Sequence, residues 1–320
     1  MLDVVVPLLL LVVGAVLLTA GAEGFAENVN GAASRLGVSV IALGVLLAGA
    51  EPEEAITAML ASGQGHPALA AGDAIGANLV ILTLTLGLAA LVTPLRVGRR
   101  GLEYGVASAV LGGVAWLLLL NGVLGRLEGF VLVLLYVAGV VWVWRREKAP
   151  PLIGEMAELD ELTGATPVRT DEATGRALLL VLAGVVGMVL GGALAVRGAE
   201  GLVGVLGIGE SVIGLTLLAL ATSAEMVALV WAARRRGLTE LVVAGTVGAV
   251  AYNATVSIGL AALVSPLGLG RHNVIVTVAA ATAVLPLVLL TSLRSGRLPR
   301  TVGLLLVAAY VAAVALLLAR

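Results

Sequence analysis

Ten stretches of this chain are long and apolar enough to cross a lipid bilayer: 4–28, 37–61, 68–93, 103–124, 127–144, 176–196, 203–232, 239–265, 273–293 and 301–319. A bilayer's hydrocarbon core is about 30 Å thick and takes about 20 apolar residues as a helix. Backbone exposed to lipid must satisfy its own hydrogen bonds, which leaves helices or a closed barrel. Barrel strands alternate polar and apolar residues, whereas these runs are continuously apolar, so helices are expected. Composition agrees, with 60% apolar and 12% charged residues and a mean hydropathy of +1.12. Soluble domains carry about 25% charged residues. The fold class that follows is an all-α integral membrane protein.

The remaining composition excludes several functions. A net charge of −1 leaves no basic footprint for nucleic acid. There is no cysteine, hence no disulfide or thiolate chemistry. The two histidines, His66 and His272, fall beside helix ends and read as loop residues, so a histidine relay or multi-histidine metal centre is not expected. Residues 1–20 lack the basic start of a leader and run on into Glu23 and Glu27, so they are read as the first span.

Displaced by 172 residues, the chain matches itself. Gly87–Leu95 aligns with Gly259–Leu267 at eight of nine positions, and Ser39-Val40-Ile41 falls on Ser211-Val212-Ile213. The same offset sets Glu53 on Glu225 and Gly76-Ala77 on Gly248-Ala249. Two five-span repeats are expected, 1–144 and 176–320, joined by a hydrophilic linker at 145–175. The linker reads as solvated chain, its acidic spacing matching no cation-binding loop. An odd number of spans per half inverts the second relative to the first, the architecture of secondary transporters with a midplane site.

Ionisable side chains inside spans are costly and are functional candidates by default. Span 2 carries Glu51, Glu53 and Glu54 around Pro52. Span 3 carries Asp73 and Asn78, span 7 Thr222, Ser223 and Glu225, and span 8 Thr246, Asn253, Thr255 and Ser257. None of these spans has a Lys or Arg at its middle, so the carboxylates require a proton, a hydrogen bond or a bound cation. Glu53 lies roughly 24 Å along span 2, inside the membrane. Pro52 cannot donate to the Ala48 carbonyl and, with Gly49, breaks the helix, freeing oxygens for a cation. A hard divalent ion takes about 6–8 oxygens. Glu53 and Glu225 supply charge, Asn78 and Asn253 amide oxygens, and Ser223 a hydroxyl; all are oxygen donors, against a soft metal. Helical spacing lets at most one of Glu51 and Glu54 join Glu53. The bland alternatives are protonated structural glutamates, asparagines as interhelical glue, and a noncoordinating Asp73 at the mouth of span 3. Glu23 and Glu27 could line an entry path or simply face the interface.

These residues resemble the sodium/calcium exchanger family of the calcium/cation antiporter superfamily. The likeness is carried by Gly21-Ala-Glu-Gly-Phe-Ala-Glu27, Gly49-Ala-Glu-Pro-Glu-Glu54, Gly72-Asp-Ala-Ile-Gly-Ala-Asn78, Ala221-Thr-Ser-Ala-Glu225 and the stretch Gly245 to Asn253. Counting from span 3, Glu54 takes the place of the family glutamate; counting by the internal repeat, Glu53 does, and the pairing with Glu225 favours Glu53. The second signature lacks its proline, and Val250 stands where Asn78 would fall.

The resemblance implies a cation antiporter that is not an enzyme and uses no cofactor. Ca2+ and Na+, or H+ in place of Na+, would be transported substrates. Spans 1 and 6 would rock against the rest. The intramembrane enzyme, the rival from another class, lacks a histidine within any span. The partners implied are inorganic cations and the bilayer; no oligomeric state is specified, and a monomer satisfies every feature above.

Orientation follows from basic residues. Placing the N-terminus outside puts 15 of the 19 Lys and Arg in cytoplasmic loops. An inner-membrane protein with both termini outside and 145–175 inside is expected. A protease site inserted at Gly164 should be cleaved only from the cytoplasmic side; cleavage in intact cells by external protease would refute this topology.

Overall fold

The computed structural model describes residues 2–36, 51–147, 171–224, 226–227 and 239–319. The first half contains α1 (Leu2–Leu36), α2 (Pro52–Gly63), α3 (Pro67–Val92), α4 (Arg99–Leu119) and α5 (Arg126–Glu147). The second contains α6 (Asp171–Leu206), α7 (Glu210–Thr222), α8 (Thr239–Tyr252 continuing through Asn253–Ser257 to Ile258–Val264), α9 (Val274–Ser292) and α10 (Arg300–Leu318). Among the described residues, eight helices are long and apolar enough to cross a membrane; α2 and α7 are shorter and adjoin undescribed residues.

Two boundaries differ from the hydropathy reading. Expected span 7 begins at 203, but 203–206 complete α6, and the chain turns at Gly207 (φ +66°) before α7 starts at Glu210. The turn is built from Gly207-Ile208-Gly209 and carries no polar gap, so hydropathy alone cannot place it. Likewise α1 continues to Leu36, past the expected end at 28. At 1.5 Å per residue α1 and α6 are each about 50 Å long. That exceeds the hydrocarbon thickness, so tilt or protrusion follows.

The distribution of side chains is inverted relative to a soluble protein. Leu127, Leu305 and Leu316 are 75%, 68% and 69% exposed, while Asp73 and Asn253 are fully buried. Large apolar faces of this kind are stable against lipid and would be liabilities in water. Among the membrane-length helices described, α3 and α8 are the most enclosed, and they carry nine of the twenty buried polar side chains. Pro52 and Pro67 occupy the first helical positions of α2 and α3, where the missing N–H costs nothing.

The 172-residue offset recurs in the elements themselves. The opening of α3 at Pro67 recurs as Thr239 of α8, and its last stretch Leu86–Val92 as Ile258–Val264. Wider π-type turns occupy Val80–Thr85 and Asn253–Ser257. Strands β1 (Leu95–Arg96) and β3 (Leu267–Gly268) correspond exactly, and β2 (Val123–Leu124) corresponds to β4 (Arg297–Leu298) within two residues. β1 pairs antiparallel with β4, and β2 with β3, so each half clasps the other. Beside the clasps Gly303 of α10 meets the Gly87 carbonyl of α3, and Gly259 of α8 meets that of Gly129 of α5.

α1 and α6 pack mainly on one another along glycines spaced by seven: Gly14 and Gly21 on α1, and Gly184, Gly191 and Gly198 on α6. A methyl group at Gly191 would stand 2.6 Å from the Leu18 nitrogen, and one at Gly198 2.6 Å from the Leu11 nitrogen. Backbone contact of this closeness substitutes for hydrophobic drive, which is absent between helices in lipid. Gly191→Val should lower stability by about 1–3 kcal/mol. Gly113→Ala on α4, where an added methyl meets nothing within 4 Å, should be neutral or stabilising by up to about 1 kcal/mol. Melting of the detergent-solubilised variants checks both.

Candidate cation site

Asp73 lies on α3 between Gly72 and Gly76, where α3 touches α7. A methyl on Gly72 would come 3.0 Å from Gly214 Cα, and one on Gly76 would come 2.6 Å from Ala219 Cβ and 2.8 Å from the Leu215 backbone. This approach lets Thr222 at the end of α7 donate its hydroxyl to Asp73 Oδ1 at 3.0 Å. The next residue, Ser223, leaves the helical path (φ −82°, ψ 6°) and donates to Glu54 Oε1 at 2.9 Å. Hydrogen bonds to ionised groups are worth about 1.5–3 kcal/mol each. Glu54 and Asp73 lie within each other's electrostatic reach.

A second set of contacts lies alongside. Glu51 precedes α2 in a non-helical conformation (φ −110°, ψ 80°) because Pro52 begins the helix. Its Oε2 accepts from Asn253 Nδ2 at 2.8 Å, and Asn253 Oδ1 accepts from Ser257 Oγ at 2.9 Å. Helical spacing does not apply across this break, so Glu51 and Glu54 both turn inward, at 2% and 1% exposure. Glu53 is buried as well and lies within electrostatic reach of Tyr252. Glu54 feels Asp73, Glu51 and Glu53 together, and α2, α3, α7 and α8 contain no Lys or Arg.

Among the described residues, Glu51 Oε1, Glu54 Oε2, Asp73 Oδ2 and Asn78 Oδ1 are buried and accept no hydrogen bond. These spare acceptors fit a hard cation. No group of three or more carboxylate or histidine side chains among the described residues is arranged to hold a metal ion.

The expected ligands therefore separate. Glu54, Asp73 and Ser223 come together; Asn253 goes to Glu51; Asn78 stays on α3, five residues beyond Asp73, with its amide oxygen accepting no hydrogen bond. Glu225 lies outside the described residues, as do Gly49 and the Ala48 carbonyl. Thr246 is buried and bonds its own helix at the Val243 carbonyl, 3.0 Å away. Val250, the repeat-mate of Asn78, packs with Ile81, Met226 and Val247 in an apolar cluster. Thr222 reads from the sequence as a hydroxyl donor beside Ser223, whereas Glu51 and Ser257 read only as buried polar residues; their pairings depend on the non-helical Glu51 and on the α3–α7 contact. Glu23 is exposed, and the side chain of Glu27 lies outside the described residues. His66 sits in the turn before α3 with Nδ1 2.9 Å from Glu210 and Nε2 3.7 Å from Glu200, at the rim and away from these carboxylates. His272 is exposed.

Comparison with known proteins places this arrangement. Residues 6–145 and 176–319 match the family described as sodium/calcium exchanger protein. The putative antiporter CaxA of Alkalimonas amylolytica is 28% identical over 303 residues, covering 90% of each chain. Inner membrane protein YrbG of Escherichia coli strain K12 is 29% identical over 237 residues, covering 72% of this chain and 69% of that protein. The sodium-calcium exchanger NCX_Mj, solved after soaking with 10 mM Na+ and 10 mM Sr2+, has the same fold, with a TM-score of 0.63 at 23% identity over 98% of both chains. With nearly all of its two halves matched, the chain belongs to the sodium/calcium exchanger family, a family of multi-pass membrane cation antiporters rather than enzymes.

Proposed function

We propose that this antiporter exchanges Ca2+ against Na+ through a site between α2, α3, α7 and α8. It is read as ten spans in two inverted halves, 1–144 and 176–320, with the 145–175 linker in the cytoplasm and both termini outside the inner membrane. The observation that carries the reading is the meeting of Glu54 and Asp73 with Ser223 and Thr222, buried, with acceptor oxygens to spare and no basic side chain on the four helices. Negative charge crowded into lipid draws in a cation.

In this reading Glu54 and Asp73 supply charge, and Ser223 and Asn78 neutral oxygens. Glu53, Asn253 and Glu225 extend the oxygen set along the same helices. The approach of Ser223 to Glu54 shifts the leading role from Glu53, favoured by the repeat, to Glu54. Ions of one phase displace those of the other from shared carboxylates, and that competition couples the fluxes. Likeness to CaxA, a putative antiporter, and to NCX_Mj, a sodium-calcium exchanger, supports antiport. The α1–α6 pair, seated mainly on itself, is the unit that would rock.

A second reading has support of its own: H+ replaces Na+. A proton can neutralise either of the neighbouring carboxylates Glu54 and Asp73, and the apolar Val250 removes an amide oxygen that a Na+ site could use.

Two measurements test these proposals in proteoliposomes. Glu54→Gln and Asp73→Asn should each reduce Ca2+ exchange by about two orders of magnitude, the effect of losing roughly 3 kcal/mol of charge compensation. Glu53→Gln should retain a measurable fraction; a dead Glu53→Gln beside an active Glu54→Gln would return the leading role to Glu53. With the pH gradient collapsed by an ionophore, Ca2+ uptake should persist and follow an outward Na+ gradient. Uptake that vanishes with the pH gradient establishes proton coupling instead.

A further inference from the structure

The two histidines of the chain differ in their surroundings. His272 is exposed, whereas His66 is set in the turn between α2 and α3 with both backbone groups engaged. Its N–H donates to the Ala61 carbonyl at 2.9 Å, and its carbonyl accepts from the Ala70 N–H at 3.0 Å. Gly65, at φ +89°, makes this tight exit from α2 possible, and Pro67 opens α3 at the next residue. The imidazole is thereby anchored to α2 and α3, and it carries one carboxylate on each nitrogen. Nδ1 lies 2.9 Å from Oε1 of Glu210, the first residue of α7, and Nε2 lies 3.7 Å from Oε2 of Glu200, near the end of α6. The exchange reading makes no use of these three side chains.

The two contacts answer differently to a proton. A neutral imidazole has one N–H and one bare nitrogen, an imidazolium two donors. The 2.9 Å separation is that of a hydrogen bond, and a carboxylate only accepts, so the single N–H of a neutral ring belongs on Nδ1. Nε2 is then bare and faces Glu200 acceptor against acceptor. A proton taken up on Nε2 turns that repulsion into an ion pair. The elements on either side are held differently. α7 meets α3 at Gly72 and Gly214, and Ser211 accepts from Asn273 Nδ2 at 2.9 Å, which ties α7 to the start of α9. Glu200 belongs to α6, seated mainly on α1. Between Glu200 and Glu210 runs the turn Gly207-Ile208-Gly209, where a methyl added to either glycine would meet nothing within 4 Å. The other charged side chains of the packed elements at this end, Asp3, Arg197, Arg271 and His272, are exposed and, among the described residues, pair with none of the three.

We propose that His66, Glu210 and Glu200 form a regulatory proton site at the rim, separate from the transport carboxylates: a proton on Nε2 ties α6 to the turn between α2 and α3 and slows the movement of the α1–α6 pair. The proposal rests on the reading in which that pair rocks. Glu210 positions the ring and keeps its bond in both charge states; Glu200 is the contact that the proton switches. Acidification strengthens the tie and alkalinisation releases it, because only the charged ring has a donor for each carboxylate.

The test separates the tie from its effect on transport. The chain has no cysteine, so Gln64→Cys on the turn and Gly204→Cys on α6, four residues beyond Glu200, can carry spin labels without competing sites. Both positions are exposed, and a methyl at Gly204 meets nothing within 4 Å. In liposomes the label-to-label distance should be narrowly distributed at about pH 5.5 and broader at about pH 8.5, on either side of the range in which histidine changes charge. His66→Gln and Glu200→Gln should each remove that pH dependence, and His272→Gln should preserve it. In proteoliposomes with equal pH on both faces, so that no proton gradient drives flux, His66→Gln should exchange roughly threefold faster than wild type at about pH 5.5, the weight of one partly exposed ion pair, and at nearly the wild-type rate at about pH 8.5. A wild-type distance that ignores pH, or a His66→Gln distance that still follows it, overturns the proposal. A distance that follows pH only through His66, beside an exchange rate that the variant leaves unchanged, refutes instead the rocking of the α1–α6 pair and with it the control assigned to this site.

Discussion

A carboxylate inside a bilayer has no solvent to turn to, and most of what is specific about this protein answers that constraint. Glu51, Glu53, Glu54 and Asp73 sit in one another's fields on α2 and α3, and those helices offer no cation of their own. Compensation comes from hydroxyl and amide groups brought from the other half of the chain: Thr222 and Ser223 at the end of α7, Asn253 and Ser257 on α8. Neutral donors lower the cost of the charge without cancelling it. A site left partly uncompensated is one that an arriving cation can complete and another can vacate.

Bringing those donors close depends on residues with no chemistry. Gly72, Gly76 and Gly214 let α3 and α7 approach until backbones touch. Without that approach Thr222 could not reach Asp73. The same device recurs between α1 and α6, between α3 and α10, and between α5 and α8. In lipid, where apolar side chains gain nothing by leaving their surroundings, short contacts between small residues are the available adhesive. The high glycine content, 42 of 320 residues, thus belongs to the working of the site as much as to the fold.

Much of this is legible in the sequence, because the bilayer restricts the choices so severely. Continuous apolar runs announce helices, and the 172-residue self-match anticipates where α3 and α8 begin and where β1 and β3 fall. The polar residues that end up buried stand out against so apolar a background. What hydropathy could not supply was any division that rests on backbone geometry. The turn at Gly207-Ile208-Gly209 is as apolar as the helices it separates, so α6 and α7 merge in a window average. Helical spacing around Glu53 fails for Glu51, which precedes α2 in a non-helical conformation. Whether Glu54 or Glu53 meets Ser223 turns on how α7 is seated against α3, a long-range fact. The repeat also misleads in one respect: it pairs Asn78 with Val250, and the second half compensates elsewhere, through Asn253.

The crossed pairing of the four short strands bears on how the molecule is made. β1 follows α3, yet its partner β4 lies about 200 residues later, so the clasp closes only when the last helix is being synthesised, roughly 10–40 s afterwards at ordinary rates of translation. For the first part of that interval, until the chain reaches Thr222, Ser223 and Asn253, the helices already made stand without those donors. Glu54 and Asp73 then have neither their hydroxyl donors nor their full burial. Protons from the adjacent water are the only neutralising agents at hand for the nascent half. Assembly of the second half onto the first is therefore also the step that replaces water-borne protons with the hydroxyl and amide donors of Thr222, Ser223 and Asn253.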